Sequence, residues 1–280
     1  MAVITFYSHD SKETGQSLSI AAIATHMAIA HNYKILIIST SFNELTLENC
    51  FWEYAKIRQT SVVKDNNPSI GLESGVEGLL KVLASNRTSN EIVKNYSRIV
   101  LKDRLDVLLA PATTSYQEYM EITANYTNII KTADRYYDLV FVDLSKKMPK
   151  KDIQSILEMS DVIMMNLVQR LETLNNFIRL REANDFYKKK NVMLALGRYD
   201  RFSKYNNKNI TRYMKERKEL SVVPYNTLFF EACSEGTIID FFLRLRNIVD
   251  DTDKNVTFEK AVAEADSNII YKLQELQMKL

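Results

Sequence analysis

The sequence predicts a doubly wound α/β fold, in which a mostly parallel sheet lies between two layers of helices. Two observations lead to this prediction. Short runs rich in β-branched residues alternate with longer helical patterns along most of the 280 residues, which is the order of elements in a parallel sheet with crossover helices. Several of these runs are apolar almost throughout, as expected for strands that are covered on both faces.

The runs that predict strands are short and rich in Val, Ile and Leu. They lie at residues 2–8, 34–40, 106–110, 138–144, 161–166, 191–196 and 220–223. The helical patterns lie near residues 16–31, 72–84, 115–134, 150–159, 170–188, 206–217 and 238–249. We therefore expect a sheet of about seven or eight strands with helices on both faces.

Two segments extend this pattern within a single predicted domain of residues 1–280. Residues 41–104 are long for one crossover, and we interpret them as a helical insertion at one edge of the sheet. The insertion is predicted to contain a helix at 44–57, a polar link at 64–69 and helical segments to about Arg104. Residues 256–280 predict a C-terminal helix that packs on the body or on a partner subunit. Its apolar face is formed by Ile269, Ile270, Leu273, Leu276 and Leu280.

The composition limits the class of protein. There are 37 basic and 35 acidic residues, and this near balance argues against a dedicated nucleic-acid-binding protein while allowing a local basic patch. The two cysteines, Cys50 and Cys233, are too few for a disulfide framework and fit a reducing compartment. We identify no signal peptide and no apolar stretch near the roughly 20 residues of a membrane span. A cytoplasmic protein is expected.

The loop after the first predicted strand is the natural place for an anion. In open parallel sheets, ligands bind at the carboxyl ends of the strands, and a helix N-terminus there offers N–H groups and a favourable dipole. Gly15, Gln16 and Ser17 stand where the phosphate-loop pattern G-x-x-x-x-G-K-[ST] has its Gly-Lys-Ser/Thr. The pattern fails at Asp10 and Gln16. Taken alone, the loop fits an ordinary helix N-cap in a turn equally well.

Three segments, of which the first loop is one, resemble the ParA/MinD group of deviant phosphate-loop ATPases. Residues 11–17 (SKETGQS) stand in the place of that family's loop, K-G-G-x-G-K-[ST]. Residues 136–149 (YYDLVFVDLSKKMP) are similar to the family's Walker B segment. Residues 222–242 are similar to its late P-Y-[DN] segment, which in relatives lies near the base of the nucleotide. The order of elements agrees over nearly the whole chain. The resemblance implies a fold like that of the phosphate-loop NTPases, and weak binding of ATP or ADP with Mg²⁺.

The resemblance also implies which residues form the site. The nucleotide would contact the first loop and two later segments: Asp10, Ser11, Lys12, Glu13, Thr14, Gly15, Gln16, Ser17, Leu18, Arg198, Pro224, Tyr225 and Asn226. Mg²⁺ would be held by Ser17 and Asp143. A carboxylate at the end of an apolar strand either holds Mg²⁺ through water or caps a turn. Ser17 is either a metal ligand or a helix cap.

The chain departs from the family at charged positions. Ser11 stands at the family's signature lysine, with Lys12 one place away, and Gln16 replaces the phosphate-loop lysine. Residues 39–41 (STS) lack the aspartate that orients the attacking water. A charge-assisted contact contributes roughly 1.5–3 kcal/mol, so the loss of one lysine lowers affinity by about one to two orders of magnitude. We expect hydrolysis to be slow or absent.

The sequence leaves two functional hypotheses open. Degenerate members of the family that resemble CpaE/TadZ help to assemble Tad (type IV-like) pili, which implies protein partners and recruitment to the membrane or cell pole. Partition ATPases instead bind nonspecific DNA through late basic residues, and residues 198–218 contain such a cluster: Arg198, Arg201, Lys204, Lys208, Arg212, Lys215, Arg217 and Lys218. A solvated helix face would explain the same cluster. The resemblance also implies a two-fold homodimer that meets across the first loop near Lys12. Because Ser11 stands at the signature lysine, we expect this dimer to form without nucleotide, through apolar surface of residues 41–104 or of the C-terminal helix.

The three histidines show no spacing typical of a metal site. His9 lies close enough to the first loop to contact a phosphate. His26 falls within a predicted helix, where packing or solvation is the simpler explanation. No Ser-His-Asp or Cys-His arrangement supports nucleophilic catalysis.

Overall fold

Eight strands form one sheet in the order β3-β4-β2-β5-β1-β6-β7-β8 in a computed structural model of the chain. The model describes residues 2–9, 14–53, 75–85, 89–246, 248, 250 and 252–278. The strands are β1 Ala2–Tyr7, β2 Ile35–Ser39, β3 Arg98–Leu101, β4 Leu105–Leu108, β5 Leu139–Asp143, β6 Val162–Leu167, β7 Val192–Tyr199 and β8 Ser221–Pro224. Neighbours are parallel, except that β3 runs antiparallel to β4.

Helices cover both faces of this sheet. They are α1 Gln16–Ala30, α2 Thr46–Asn49, α3 Val76–Ala84, α4 Ile92–Tyr96, α5 Tyr116–Thr123, α6 Tyr126–Ala133, α7 Lys150–Met159, α8 Leu171–Ala183, α9 Asp185–Lys189, α10 Asn207–Tyr213, α11 Thr227–Glu235, α12 Ile238–Leu245 and α13 Lys254–Gln277. None of these helices in the described part of the chain is long and apolar enough to cross a membrane.

The two cores arise from the alternation of side chains along each strand. In β1, Ile4 and Phe6 pack with α1, α11, α12 and α13 on one face. Val3 and Tyr7 belong to the cluster on the other face, which includes residues of α3 to α8 and of α10. Successive side chains of a strand point to opposite faces, so strands that are apolar throughout are buried on both sides. The prediction of a three-layer, mostly parallel α/β fold is confirmed.

The predicted helical insertion was partly wrong. Residues 98–101 form a strand instead of a helix, and this strand pairs antiparallel with residues 105–108, next to the position where a strand was predicted at 106–110. The physical reason is a three-residue link in which Asp103 takes a left-handed conformation, with φ 58°, and such links favour hairpins. The helix expected at 44–57 is only the short α2 within the described residues. The polar link at 64–69 lies outside them.

Several predicted helices have different boundaries. The pattern at 115–134 forms two helices, α5 and α6, with a break at Ala124 and Asn125. The pattern at 170–188 likewise divides into α8 and α9, where Asn184 caps the second helix through a hydrogen bond from the Phe186 amide. Asparagine is a favoured N-cap. A second helix therefore begins after Asn184, although the hydrophobic pattern in the sequence continues through this residue.

The C-terminal helix α13 packs on its own chain. Val262, Ala265 and Ile269 are fully buried in the core that contains α1. Ile270, Leu273 and Leu276 are partly buried against the same core. The apolar face expected from the sequence is therefore already covered, and it is not an exposed surface for a partner subunit. Leu280 lies outside the described residues.

A polar cluster joins the C-terminal half of α1 to α13. His26 contacts Asp266 through Nδ1 at 2.8 Å and Glu259 through Nε2 at 3.1 Å. His31 approaches the same Asp266 carboxylate at 3.3 Å. The Asp266 side chain is completely buried. We call His26, His31, Glu259 and Asp266 the helix clamp, because these side chains hold two helices that are distant in sequence.

The pKa of His26 is raised by its neighbours. Burial lowers it, but the carboxylates of Asp266 and Glu259 raise it by more, so the pKa lies above the ordinary 6.5. A group whose pKa is higher in the folded state than in the unfolded state makes its full contribution to stability at pH values below the unfolded-state pKa. That stabilisation is lost as pH rises through the folded pKa.

We predict that His26→Asn lowers the free energy of unfolding by about 1–3 kcal/mol at pH 5.5, because a charge-assisted contact to a buried carboxylate is lost. The difference from the unchanged protein should shrink as pH rises past the raised pKa. Urea unfolding across this pH range measures it, with the exposed His9→Asn as control. A difference that stays constant with pH would contradict a charged His26.

Candidate nucleotide-binding cleft

A cleft of about 400 Å³ lies at the carboxyl ends of β1 and β5. This is where the strand order reverses, because β1 lies between β5 and β6, and such points form ligand crevices in open α/β sheets. Its walls come from the first loop, the segments after β2 and β5, β7 and α11: Thr14, Gly15, Gln16, Ser17, Leu18, Ser41, Glu44, Thr46, Asp143, Leu144, Ser145, Lys146, Lys147, Arg198 and Phe230.

The N-terminus of α1 forms the floor of this cleft. Gly15 precedes the helix in a left-handed conformation, with φ 69°, and no side chain among the described residues caps the helix. The first N–H groups of a helix have no partner within the helix. They therefore remain available to an anion, and the helix dipole favours negative charge there.

Asp143 joins the end of β5 to the first turn of α1. Its Oδ1 accepts a hydrogen bond from Gln16 Nε2 at 2.6 Å, and its Oδ2 accepts one from Ser17 Oγ at 2.7 Å. The Gln16 amide also donates to the Leu144 carbonyl at 3.1 Å. Burial raises the pKa of the Asp143 carboxyl, although the bonds from Ser17 and Gln16 act in the opposite direction.

The oxygens of Ser17 and Asp143 fit the periphery of a Mg²⁺ site. A hydroxyl and a carboxylate are in direct contact at the end of a helix that can hold phosphate, and Mg²⁺ in nucleotide sites usually has one or two protein ligands together with phosphate and water. The described residues contain no group of three or more His, Cys, Asp or Glu that could hold a metal without such help. The donor set therefore suits a metal–nucleotide complex better than a metal alone.

Gly197 lets β7 approach the first loop closely. A Cβ atom at this position would lie 2.2 Å from the Thr14 carbonyl oxygen, so any other residue requires the loop to move. The next residue, Arg198, is left-handed with φ 52° and sits at a register shift in β7. Gly197 and Arg198 thus lie against Gly15.

Residues 39–41, at the end of β2 and just after it, carry hydroxyl groups, and that of Thr40 has a structural role. Thr40 Oγ1 donates to the Asp143 carbonyl at 2.9 Å and accepts from the Ser145 amide at 2.8 Å. Ser39 is buried, and Ser41 lines the cleft. No carboxylate occurs at residues 39–41, although the nearby Glu44 also lines the cleft. This segment ties β2 to β5.

The structure brings together only some of the residues expected from the sequence. Residues 14–18, Asp143 and Arg198 line one cleft, whereas Asp10, Ser11, Lys12 and Glu13 lie outside the described residues. The segment after β8 does not line the cleft: Pro224 ends the strand, Tyr225 is exposed and Asn226 caps α11 by accepting from the Phe229 amide.

Eight residues of the cleft wall were not among the site residues predicted from the sequence. They are Ser41, Glu44, Thr46, Leu144, Ser145, Lys146, Lys147 and Phe230. Lys146 and Lys147 lie just beyond the strand that ends in Asp143, and this position was the available signal. Glu44 and Phe230 reach the cleft only through the packing of their helices and loops.

Two substitutions separate the charge of Asp143 from its hydrogen bonds. Asp143→Asn should leave the free energy of unfolding of the ligand-free protein unchanged or raise it, because the raised pKa means that the ionised carboxyl is disfavoured in the fold. Asp143→Ala should lower it by about 1–3 kcal/mol, because the Gln16 and Ser17 donors lose their acceptor. Chemical denaturation measures both. Equal destabilisation by Asn and Ala would contradict this account.

Comparison with solved structures shows similar folds at low identity. A ParA family ATPase from Chlorobium tepidum TLS matches with a TM-score of 0.65 and 16% identity, over 94% of this chain and 96% of the other. The septum site-determining protein MinD from Pyrococcus horikoshii OT3, complexed with Mg-ADP, matches with a TM-score of 0.63 and 14% identity, over 97% and 98%. A plasmid partition protein from Borrelia burgdorferi B31, bound to AMPPNP, matches with a TM-score of 0.58 and 16% identity, over 94% and 97%.

No family model and no curated protein matches the sequence. The similarity therefore lies in the architecture, which extends over nearly the whole length of this chain and of the structures compared with it. At such identities a common fold is what the comparison establishes. The chain has the fold of the ParA and MinD ATPases.

Proposed function

We propose that this chain is a degenerate member of the ParA/MinD family that binds ATP or ADP with Mg²⁺ in the cleft. The contact of Asp143 with Ser17 at the N-terminus of α1 carries the proposal, because it places a hydroxyl and a carboxylate beside first-turn N–H groups that no side chain of the described residues caps. Structures of the same fold contain Mg-ADP or AMPPNP. The proposed role of this nucleotide is to control the positioning or assembly of other cellular machinery.

Each part of the cleft has a distinct proposed role. The first-turn N–H groups of α1 and the Thr14–Gly15 backbone hold phosphate oxygens. Ser17 and Asp143 would hold Mg²⁺. Arg198 and Phe230, on the remaining walls, would lie beside the nucleoside. Bound Mg²⁺ would offset the negative charge of the phosphates and of the buried carboxylate.

Hydrolysis places a further demand on the site. An attacking water must be oriented, and residues 39–41 supply only hydroxyls, of which that of Thr40 already bonds to β5 and the segment after it. Gln16 brings no positive charge to the leaving phosphate. We therefore propose that turnover is well below about 1 s⁻¹, the lower end of ordinary enzyme rates.

We predict that Gln16→Lys strengthens binding of ATP·Mg²⁺ by about tenfold or more, since a charged donor near phosphate contributes roughly 1.5–3 kcal/mol. Calorimetric titration with ATP·Mg²⁺ and with ADP measures this directly. Gln154→Lys, the same change of residue on α7 and away from the cleft lining, serves as control. If neither the unchanged protein nor Gln16→Lys binds nucleotide, the cleft is a relic and the proposed nucleotide function is wrong.

The proposed cellular role follows the degenerate loop. Within the family, chains with altered phosphate loops resemble CpaE/TadZ, which act in assembly of Tad (type IV-like) pili, so we propose protein partners from such a machine. Recruitment to the membrane or pole would then depend on those partners. A solved structure of the same fold is a MinC:MinD cell division protein complex from Aquifex aeolicus, which is a precedent for a protein partner on this architecture.

The second candidate function is DNA partition. Its supporting observation is a run of exposed basic residues around α10: Arg198, Arg201, Lys204, Lys208, Arg212, Lys215, Arg217 and Lys218. Contacts to phosphate weaken steeply with salt. Tight retention of nonspecific DNA with a steep salt dependence would favour partition, whereas no retention at low salt would favour the pilus-type role.

We also propose a homodimer that meets at the cleft face. Exposed apolar side chains surround the start of α11 there: Tyr225, Leu228 and Phe230 are about half exposed. A specific interface needs about 1,000 Å² of buried area, and these side chains would contribute to it. Sedimentation at micromolar protein, with and without ATP, should show a dimer in both conditions. A monomer in both would contradict the proposal.

A further inference from the structure

We propose that Lys146 and Lys147, in the segment after β5, supply the positive charge for nucleotide phosphates that the first loop lacks. This inference rests on the proposed function and specifies how this cleft would hold a polyphosphate. We call these two residues the lysine pair. In a phosphate loop the corresponding charge comes from the helix side of the cleft, so the charge would here come from the opposite wall.

The first observation is the position of the lysine pair. Both residues line the same cleft as the N-terminus of α1. The Gln16 amide, at the position of the missing lysine, donates to the carbonyl of Leu144 at 3.1 Å. Leu144 precedes Lys146 by only two residues. The segment with the lysine pair therefore begins directly against the place where the phosphate-loop lysine would stand.

The second observation is the charge of the cleft wall. Among the described residues that line it, the cations are Lys146, Lys147 and Arg198, and the carboxylates are Glu44 and Asp143. Without the lysine pair, one cation would face two carboxylates. Such a wall would carry a net negative charge and repel a polyphosphate, because like charges repel. The lysine pair reverses that sign.

The third observation concerns the hydrogen-bond partners and the exposure of Lys147. Its Nζ donates to Glu44 Oε1 at 2.7 Å and to the Phe42 carbonyl at 3.1 Å. The side chains are 45% and 58% exposed for Lys147 and Glu44, and ion pairs at such exposure contribute little to stability. A polyphosphate can therefore replace Glu44 as the partner of Lys147 at small cost. The Phe42 carbonyl keeps the ammonium near the cleft.

The test compares two double variants with the same change in charge. Lys146→Ala/Lys147→Ala removes the lysine pair, and Lys150→Ala/Lys151→Ala removes two lysines at the start of α7 that do not line the cleft. Calorimetry with ATP·Mg²⁺ and with inorganic tripolyphosphate measures binding. We expect the first variant to bind both ligands about tenfold more weakly or worse. The second should bind them like the unchanged protein.

A rescue experiment identifies the role of the charge. Gln16→Lys in the Lys146→Ala/Lys147→Ala background should restore affinity, because it returns a cation to the other wall of the same cleft. Thermal unfolding of each variant shows whether its fold is intact. A Lys12→Ala variant tests the remaining lysine near the loop.

The results separate this inference from the proposed function. If the unchanged protein binds ATP·Mg²⁺ and the Lys146→Ala/Lys147→Ala variant binds equally well, the inference is wrong and the nucleotide function stands. The inference is also wrong, with the nucleotide function intact, if only Lys12→Ala loses binding. If the unchanged protein binds neither ATP·Mg²⁺ nor tripolyphosphate, both the inference and the proposed function are wrong.

Discussion

The carboxyl edge of the sheet depends on the two hydrogen bonds that Asp143 accepts from Gln16 and Ser17. A buried carboxylate is costly unless it is paired or hydrogen-bonded, and these two donors are the contacts that make its position tolerable. They also fix the N-terminus of α1 against the centre of the sheet. The geometry of the cleft therefore follows from satisfying one acid at the end of β5.

The same helix is held at its other half by the helix clamp. Between the two attachments, α1 is rich in small and buried residues, with Ile20 to Ala24 fully enclosed. Tight packing of this kind makes a helix a rigid element. A rigid α1 keeps its first N–H groups directed into the cleft, which is the preorganisation that an anion site needs. Stability and binding geometry thus share one element.

Binding and hydrolysis make separate demands on a phosphate site, and this chain meets them unequally. Backbone N–H groups, a hydroxyl and a carboxylate remain around the start of α1, and they depend on the fold more than on any one side chain. Charge at the phosphates and orientation of water depend on particular side chains, and those at Gln16 and residues 39–41 are uncharged. A phosphate site without charge at these positions can still serve as a binding switch, because population shifts require differential affinity and no chemistry.

Local sequence determined the sheet and the position of Asp143, since strands buried on both faces must be apolar and a lone acid at a strand end stands out. It did not reveal β3, an edge strand of only four residues that is partly buried, and therefore did not predict the antiparallel pair β3–β4. It also could not reveal contacts across long separations, such as His26 with Asp266, 240 residues apart. Glu44 and Phe230 reach the cleft in the same way. Periodicity records which side chains are buried, and only tertiary packing decides which buried or polar groups meet.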